Sequence, residues 1–425
     1  MKNRIFNLFL ILALGFGSMF INSCEKEIIY PEDRETIDEL YSLMNQWYFW
    51  KDSIPDINPD DYSSPEDLLE AMRYIPRDKW SYITTQDAHS QYFEEGTYIG
   101  YGFGYALDSE GNTRITFLYE DSDFSEKGIE RGWIIKKING TIITENSSLN
   151  DLLGSNDIGI SNTIELESPT GEIVSDVFVK KLISMNTVGN VSVIEKGSDK
   201  IGYFVFKSFI GPSADELTEA FSYFLTEGVN ELVIDLRYNG GGQVDVVEHL
   251  AGLIIPDHVN GELLSKIIHN SDRSDQDNSI YFEQNSNSLR LDKVYFITSK
   301  SSASASELII NSLDPFIDVI LVGDDTYGKP VGMYSFASRI SNVVYVPIAF
   351  KLTNSAGFGE FYDGLQADSY VADDIKSNFG IGEDVFDEVI YHIENGSFSS
   401  LKSSTDIYRA PFKEIRNLRD EIGTI

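Results

Sequence analysis

The sequence predicts a multidomain α/β protein in which a β-rich segment stands between a helical amino-terminal part and an alternating strand–helix core. Three observations lead there. From about residue 188 to 395, β-branched and aromatic runs alternate with amphipathic stretches, the pattern of a layered α/β core. From about 98 to 185, short strands are separated by Gly, Asn and Asp turns, and from about 32 to 95 the pattern is helical and aromatic. With 425 residues, 42% of them hydrophobic and 12% aromatic, there is material for two or three packed domains.

The amino terminus is a separate problem. Lys2 and Arg4 precede an apolar run from Ile5 to Ile21 that is too short and too rich in small residues for a comfortable transmembrane helix. It ends at Asn22-Ser23-Cys24, and Cys24 is the only cysteine in the chain. A thiol at that point looks like the attachment residue of a bacterial lipoprotein signal. Residues 1–23 are therefore expected to be a signal peptide and Cys24 the lipidated residue, with an uncleaved anchor as the alternative. Either way the remaining chain is exported to the cell envelope without internal disulfides. The outer membrane is favoured, with its periplasmic and surface faces both open. The formal net charge of −35 opposes nucleic acid and anionic lipid by long-range repulsion, so membrane contact is expected only through the anchor.

Residues 24–97 read as a helical subdomain. Ile37, Leu40, Tyr41, Met44, Trp47 and Tyr48 fall on one helix face, Pro55 to Pro59 breaks it, and Ser64-Pro65 opens a second helix. No catalytic signature stands out in it, which suggests a packing or capping role. Within 98–185, strands are expected at Tyr101–Leu107 and Thr113–Tyr119, then a turn and strand over Gly128–Gly140. A short helix near Leu149–Leu153 and a hairpin over Thr163–Leu182 turning at Pro169 to Glu172 complete it. The core, 186–398, has strands at Ile201–Phe206, Glu231–Leu236, Val294–Thr298 and Val319–Val322, with helices at Ala214–Leu225 and Val244–Leu253. A hairpin of Met333–Phe336 with Val343–Phe350 follows, then a closing helix Val385–Glu394; a helical tail is expected over 399–425.

The candidate chemistry lies at two strand-to-helix junctions and one loop. Ser301-Ser302-Ala303-Ser304-Ala305-Ser306-Glu307 joins the strand ending at Thr298 to a helix that stops at Asp314-Pro315. A serine there exposes its hydroxyl beside unpaired N–H groups that favour developing negative charge. Lys329, in the Gly-flanked turn after Val319–Val322, suits a buried amine kept neutral by desolvation. Asn239-Gly240-Gly241-Gly242 puts three glycines between a strand and a helix, where backbone can approach a substrate closely. The histidines (His89, His249, His258, His269, His392) show no metal-site spacing and read as surface or loop residues; no metal or cofactor is expected.

The β-rich segment resembles a PDZ domain, with Tyr101, Gly102, Phe103 and Gly104 as the carboxylate loop and Gly128 to Gly140 as the signature turn and strands. Taken together, Asp235-Leu236-Arg237-Tyr238-Asn239-Gly240-Gly241-Gly242, Ser302 to Glu307 and Thr326-Tyr327-Gly328-Lys329 resemble the carboxy-terminal processing peptidases. That family pairs a PDZ domain with a crotonase-like (ClpP/crotonase) α/β core. The resemblance covers roughly residues 35 to 395 and implies Ser304 as nucleophile, Lys329 as general base, and the N–H groups of Gly241 and Ala305 as oxyanion donors. It implies a serine-type endopeptidase acting on polypeptides with free, apolar C-termini. Ser302 and Ser306 are expected to have structural hydrogen bonds. The sequence departs from the family in carrying Met333 where many members have a glutamine that orients the lysine, and Pro330 in place of a glycine. Tyr238, Gly240 and Trp133 also differ. A catalytically silent peptide-binding scaffold is therefore the alternative. The oligomeric state is not legible.

Overall fold

A computed structural model describes residues 31–399. The amino-terminal apolar run, Cys24 and all but the first residue of the expected tail lie outside them. No helix among the described residues is long and apolar enough to cross a membrane.

The core is a six-stranded sheet in the order Val188–Lys196, Asp199–Phe206, Glu231–Asp235, Lys293–Thr298, Asp318–Gly323, Ser369–Tyr370. Its first pair is antiparallel and the rest are parallel. Strand side chains alternate between faces. Phe204, Phe206, Ile234 and Phe296 therefore point one way, into a core with helices Ser213–Glu227, Val244–Ile254 and Ala305–Leu313. Tyr203, Val205, Val233, Tyr295 and Ile297 point the other way, onto Val385, Phe386 and Val389 of helix Asp384–Asn395. Both faces are covered, which is why these strands read as continuous apolar runs.

The helical segment shares its core with later parts of the chain. Ile37, Leu40 and Met44 of Pro31–Trp47 and Leu68, Leu69 and Met72 of Pro65–Met72 pack on Val331, Tyr345 and Ile348. Ser64 caps the second helix, its hydroxyl accepting from the Asp67 amide at 3.1 Å, as the Ser-Pro opening predicts. A strand from this segment, Tyr82–Thr85, pairs with Val343–Val346.

That pairing corrects one expectation. Val343–Phe350 is two strands, and they have different partners. Val343–Val346 pairs with Phe336–Ala337 and Tyr82–Thr85, whereas Ile348–Thr353 pairs with Val331–Met333 and Leu263–His269. Hydrophobic pattern locates strands but does not choose their neighbours.

The inserted β domain is a sheet in the order Phe103–Leu107, Thr113–Leu118, Ile134–Ile138, Ser161–Glu167, Ile173–Val179. Its own core includes Phe103, Ile115, Phe124, Ile135, Leu149, Ile164 and Phe178. Phe103–Leu107 is an edge strand. The strands that lead into and out of this domain, Thr97–Gly100 and Lys181–Ser184, pair with each other.

Candidate active site

Three loops meet at the carboxyl ends of three neighbouring parallel strands. Each follows a different strand: Glu231–Asp235, Lys293–Thr298 and Asp318–Gly323.

The loop after Thr298 ends at Ser304, which precedes helix Ala305–Leu313 and holds φ 57°, ψ −109°. A non-glycine residue at positive φ is held there by its surroundings. The restraint is visible: the Ser304 amide donates to Glu307 Oε2 at 2.9 Å, the reciprocal half of a capping box. The flanking serines have the structural roles expected of them. Ser302 Oγ donates to the Leu236 carbonyl at 2.7 Å and Ser306 Oγ to the Asn239 carbonyl at 2.9 Å, and both side chains are buried. Ser304 between them is part-exposed.

Glu307 does more than hold one amide. Its Oε1 accepts from Thr326 Oγ1 and the Gly328 amide, both at 2.6 Å, and its Oε2 accepts from the Lys329 amide at 2.8 Å as well as from Ser304. Burial pushes its carboxyl above the usual range, against the pull of these four donors toward the carboxylate. One carboxylate thus pins the backbone of both Ser304 and Lys329. The Tyr327 amide adds a bond to the Ser302 carbonyl at 3.0 Å. The sequence marks Glu307 only as the residue three beyond a cap; its reach to 326–329 depends on which strands lie side by side.

Lys329 is buried, and its Nζ donates to Met333 Sδ at 3.2 Å. The same Nζ lies 5.8 Å from the centre of the Trp80 ring, which in turn packs on Tyr327. The helical segment therefore reaches Lys329, beyond the packing or capping role expected of it. The missed signal is the short run Asp78-Lys79-Trp80-Ser81. Asp78 folds it back, accepting from the Trp80 and Ser81 amides at 2.9 Å each and from Tyr48 Oη at 2.8 Å.

The glycine loop lies against the serine turn. A side chain at Gly241, whose φ is 101°, would come within 2.8 Å of Ala303 O, Ala305 N and Ser304 Cβ. No other residue fits that approach. The two expected donors differ in this conformation. The Ala305 amide has no hydrogen-bond acceptor among the described residues, but the Gly241 amide donates to Asn239 Oδ1 at 2.9 Å. The Asn239 side chain closes a local turn over that N–H.

Tyr101, Gly102, Phe103 and Gly104 lie elsewhere, at the start of the edge strand of the β domain. Gly102 has φ 79° and its carbonyl accepts from the Tyr119 amide at 2.8 Å. Tyr101 Oη accepts from Asn162 Nδ2, and its ring is buried in that domain's core. A chain of buried charge links this domain to the glycine loop. Arg131 Nη1 donates to Tyr238 Oη at 2.6 Å and to the Thr116 carbonyl at 2.8 Å, while its Nη2 meets Asp373 at 2.5 Å. Arg237, fully buried, pairs with Asp235 and Glu383. Asp373, Asp374 and Glu383 have the spacing of a cation site, but Arg131 and Arg237 already occupy the charge of two of them.

Four of the histidines have partners remote from Ser304. His89 meets Ser335, His249 Thr218, His392 Tyr295, and His269 both Asp277 and Tyr334. The surface-or-loop expectation fails for His269, a buried strand residue.

A mixed but mainly parallel sheet with its candidate residues at the carboxyl ends of central strands defines an α/β protein with its site where such folds place theirs. Comparison with known proteins takes this one step further. The family model for Peptidase family S41 matches residues 200–371 and that for the Peptidase S41 N-terminal domain matches residues 35–82; the chain belongs to this family. The probable CtpA-like serine protease of Staphylococcus haemolyticus is 23% identical over 303 residues, covering 71% of this chain and 57% of that protein. Its namesake in Staphylococcus aureus strain MRSA252 is also 23% identical, with 69% and 56% covered. The chain thus spans a little over half the length of these curated relatives. Among solved structures, a Bacteroides fragilis protein provisionally assigned to the S41 proteases shares the fold with a TM-score of 0.68 at 23% identity, over 84% of this chain and 97% of that one. The photosystem II D1 C-terminal processing protease matches with a TM-score of 0.50 at 17% identity, over 81% and 94%.

Proposed function

We propose that this chain is a serine-type endopeptidase that cleaves polypeptides near their C-termini through a Ser304–Lys329 dyad. The observation that carries the proposal is the Glu307 carboxylate, one of whose oxygens accepts from the amides of both residues. It gathers a strained serine and a buried lysine into one site. The core is then a crotonase-type peptidase core and the inserted domain a PDZ-like module. A substrate's C-terminus would add as a strand to the outer edge of Phe103–Leu107, with its carboxylate at the Tyr101–Gly104 loop. Export as a lipoprotein anchored through Cys24 fits this role.

In the reaction, the neutral Lys329 amine takes the Ser304 hydroxyl proton as Oγ attacks a peptide carbonyl. The resulting oxyanion is held by the Ala305 amide and by the Gly241 amide. Each such donor lowers the barrier by about 3–4 kcal/mol. The lysine then gives its proton to the leaving amine, and water resolves the acyl-enzyme.

The second reading, a silent peptide-binding scaffold, is favoured by the thioether at Met333 where many of the resembling proteases carry an amide. A fluorophosphonate probe separates the two. The peptidase reading expects labelling of Ser304, its loss in Lys329→Ala, and casein cleavage that Ser304→Ala abolishes. Neither labelling nor cleavage by the wild type would leave the scaffold.

A further inference from the structure

We infer that the thioether of Met333 and the indole of Trp80 together position the amine of Lys329, a seat assembled from two distant parts of the chain; the inference rests on the dyad reading above. Lys329 Nζ donates to Met333 Sδ at 3.2 Å and stands 5.8 Å from the Trp80 ring centre. Both flanks are fixed to one residue of the same strand. Met333 is the ladder partner of Ile348, and the Ile348 amide donates to Ser81 Oγ at 3.0 Å, next to Trp80. Asp78 closes the Trp80 turn through the bonds already described. Trp80 Nε1 is buried with no acceptor among the described residues, so packing orients the ring there rather than its own hydrogen bond.

The chemistry of the seat suits a base that must change charge twice. A thioether is a weak acceptor and an indole face attracts a cation without carrying a formal charge. Neither holds the ammonium as a carboxylate would, so the amine can be neutral when it takes the serine proton and charged when it delivers it. An amide carbonyl in place of the sulfur is a stronger acceptor and favours the ammonium. The two residues also come from different segments, so the base is seated only when the helical segment is docked on strand Val331–Met333.

The test is steady-state hydrolysis of a casein-derived fluorogenic peptide by the full chain across pH, using wild type, Met333→Leu, Met333→Gln, Trp80→Leu and Ser304→Ala. Met333→Leu and Trp80→Leu should each lower kcat by about tenfold or more with KM within about twofold. Met333→Gln should recover kcat to within about threefold of wild type, with the acidic limb of the kcat profile moved to higher pH. Leu and Gln variants with identical profiles, or Met333→Leu with wild-type kcat and limb, overturn the sulfur's role. A rise in KM without loss of kcat in Trp80→Leu overturns the indole's. Circular dichroism melts identify any variant that fails to fold, and Met333→Gln then carries the test through its pH profile. If wild type and Ser304→Ala are equally inactive, the dyad reading falls and the seat with it. An active wild type, a dead Ser304→Ala and an unaltered Met333→Leu sink the seat alone.

Discussion

Glu307 is fully buried, and its four donors take the place of a hydration shell. An amide there must turn an NH2 group toward two of those donors. Glu307→Gln is therefore expected to lose about 2–3 kcal/mol of stability and to lose hydrolysis more completely than Ser302→Ala. Urea melts alongside a peptide assay measure both; a glutamine variant that melts like wild type would mean the donors find new partners. This residue also marks how far the sequence can be read. Local rules mark a serine cluster before a helix, Lys329 in a glycine turn and three glycines at a strand end, whereas Ser304, Gly241 and Ala305 are singled out within them only by the family resemblance. What Glu307 does with residues 326–329 is not local. It exists only because Asp318–Gly323 lies in register beside Lys293–Thr298. Trp80 was hidden for the same reason, since nothing near it in sequence refers to Lys329.

At the scale of elements, the turn before Lys329 is fixed by contact as much as by hydrogen bonds. Gly328 has φ 99°, and a methyl group there would run into the Tyr362 carbonyl and lie 2.8 Å from the Gly364 amide. Gly140 also has positive φ, at 80°, but a methyl group would meet nothing within 4 Å. The pair separates backbone strain from steric displacement. Gly140→Ala should cost about 1 kcal/mol in stability and leave kcat unchanged. Gly328→Ala should cost about 2–3 kcal/mol and lower kcat by more than tenfold by shifting the Lys329 turn. Thermal melts and kcat for both variants check this; equal effects on kcat would remove the turn from the site. The strands and helices of the core follow the predicted runs to within a few residues, because burial on both faces makes them uniformly apolar. The predicted hairpin after Met333 is present but divided: Phe336 and Ala337 pair with Tyr345 and Val344, Met333 pairs with Ile348, and the two returning strands take different second partners. Tyr82–Thr85, some 250 residues earlier in the chain, claims one of its strands.

For the molecule as a whole, the buried charges between the β domain and the core set how it responds to acid. Burial alone would raise the Asp373 carboxyl, but Arg131 and Arg237 beside it hold it down at about 2. Its folded value lies below its ordinary 3.8, so its stabilisation is present above that pH and is lost as the pH falls toward 2. The contribution is on the order of 2 kcal/mol. Glu383 acts with the opposite sign: burial pushes it up, and its protonation favours the fold as the pH drops. Of these two carboxyls, it is Asp373 that contributes to the loss in acid. Urea stability of wild type should fall between about pH 4 and 2.5, and Asp373→Asn should flatten that slope while being less stable at pH 6. An unchanged slope would place the acid sensitivity elsewhere. None of this network is visible in the sequence, where Arg131, Arg237, Asp373 and Glu383 are scattered charges in an acidic chain.

The pairing of Thr97–Gly100 with Lys181–Ser184 means that the chain departs from the core and comes home through a single doorway one ladder spacing wide. A tight turn could bridge that gap without bending either flank. The β domain is in this sense a cassette, something an ancestor could acquire or discard in one genetic event. The seam left behind would include the faces now covered by Phe117 and Tyr119, and without Arg131 the Asp373 carboxylate would keep, of its two arginines, only the 3.3 Å contact with Arg237.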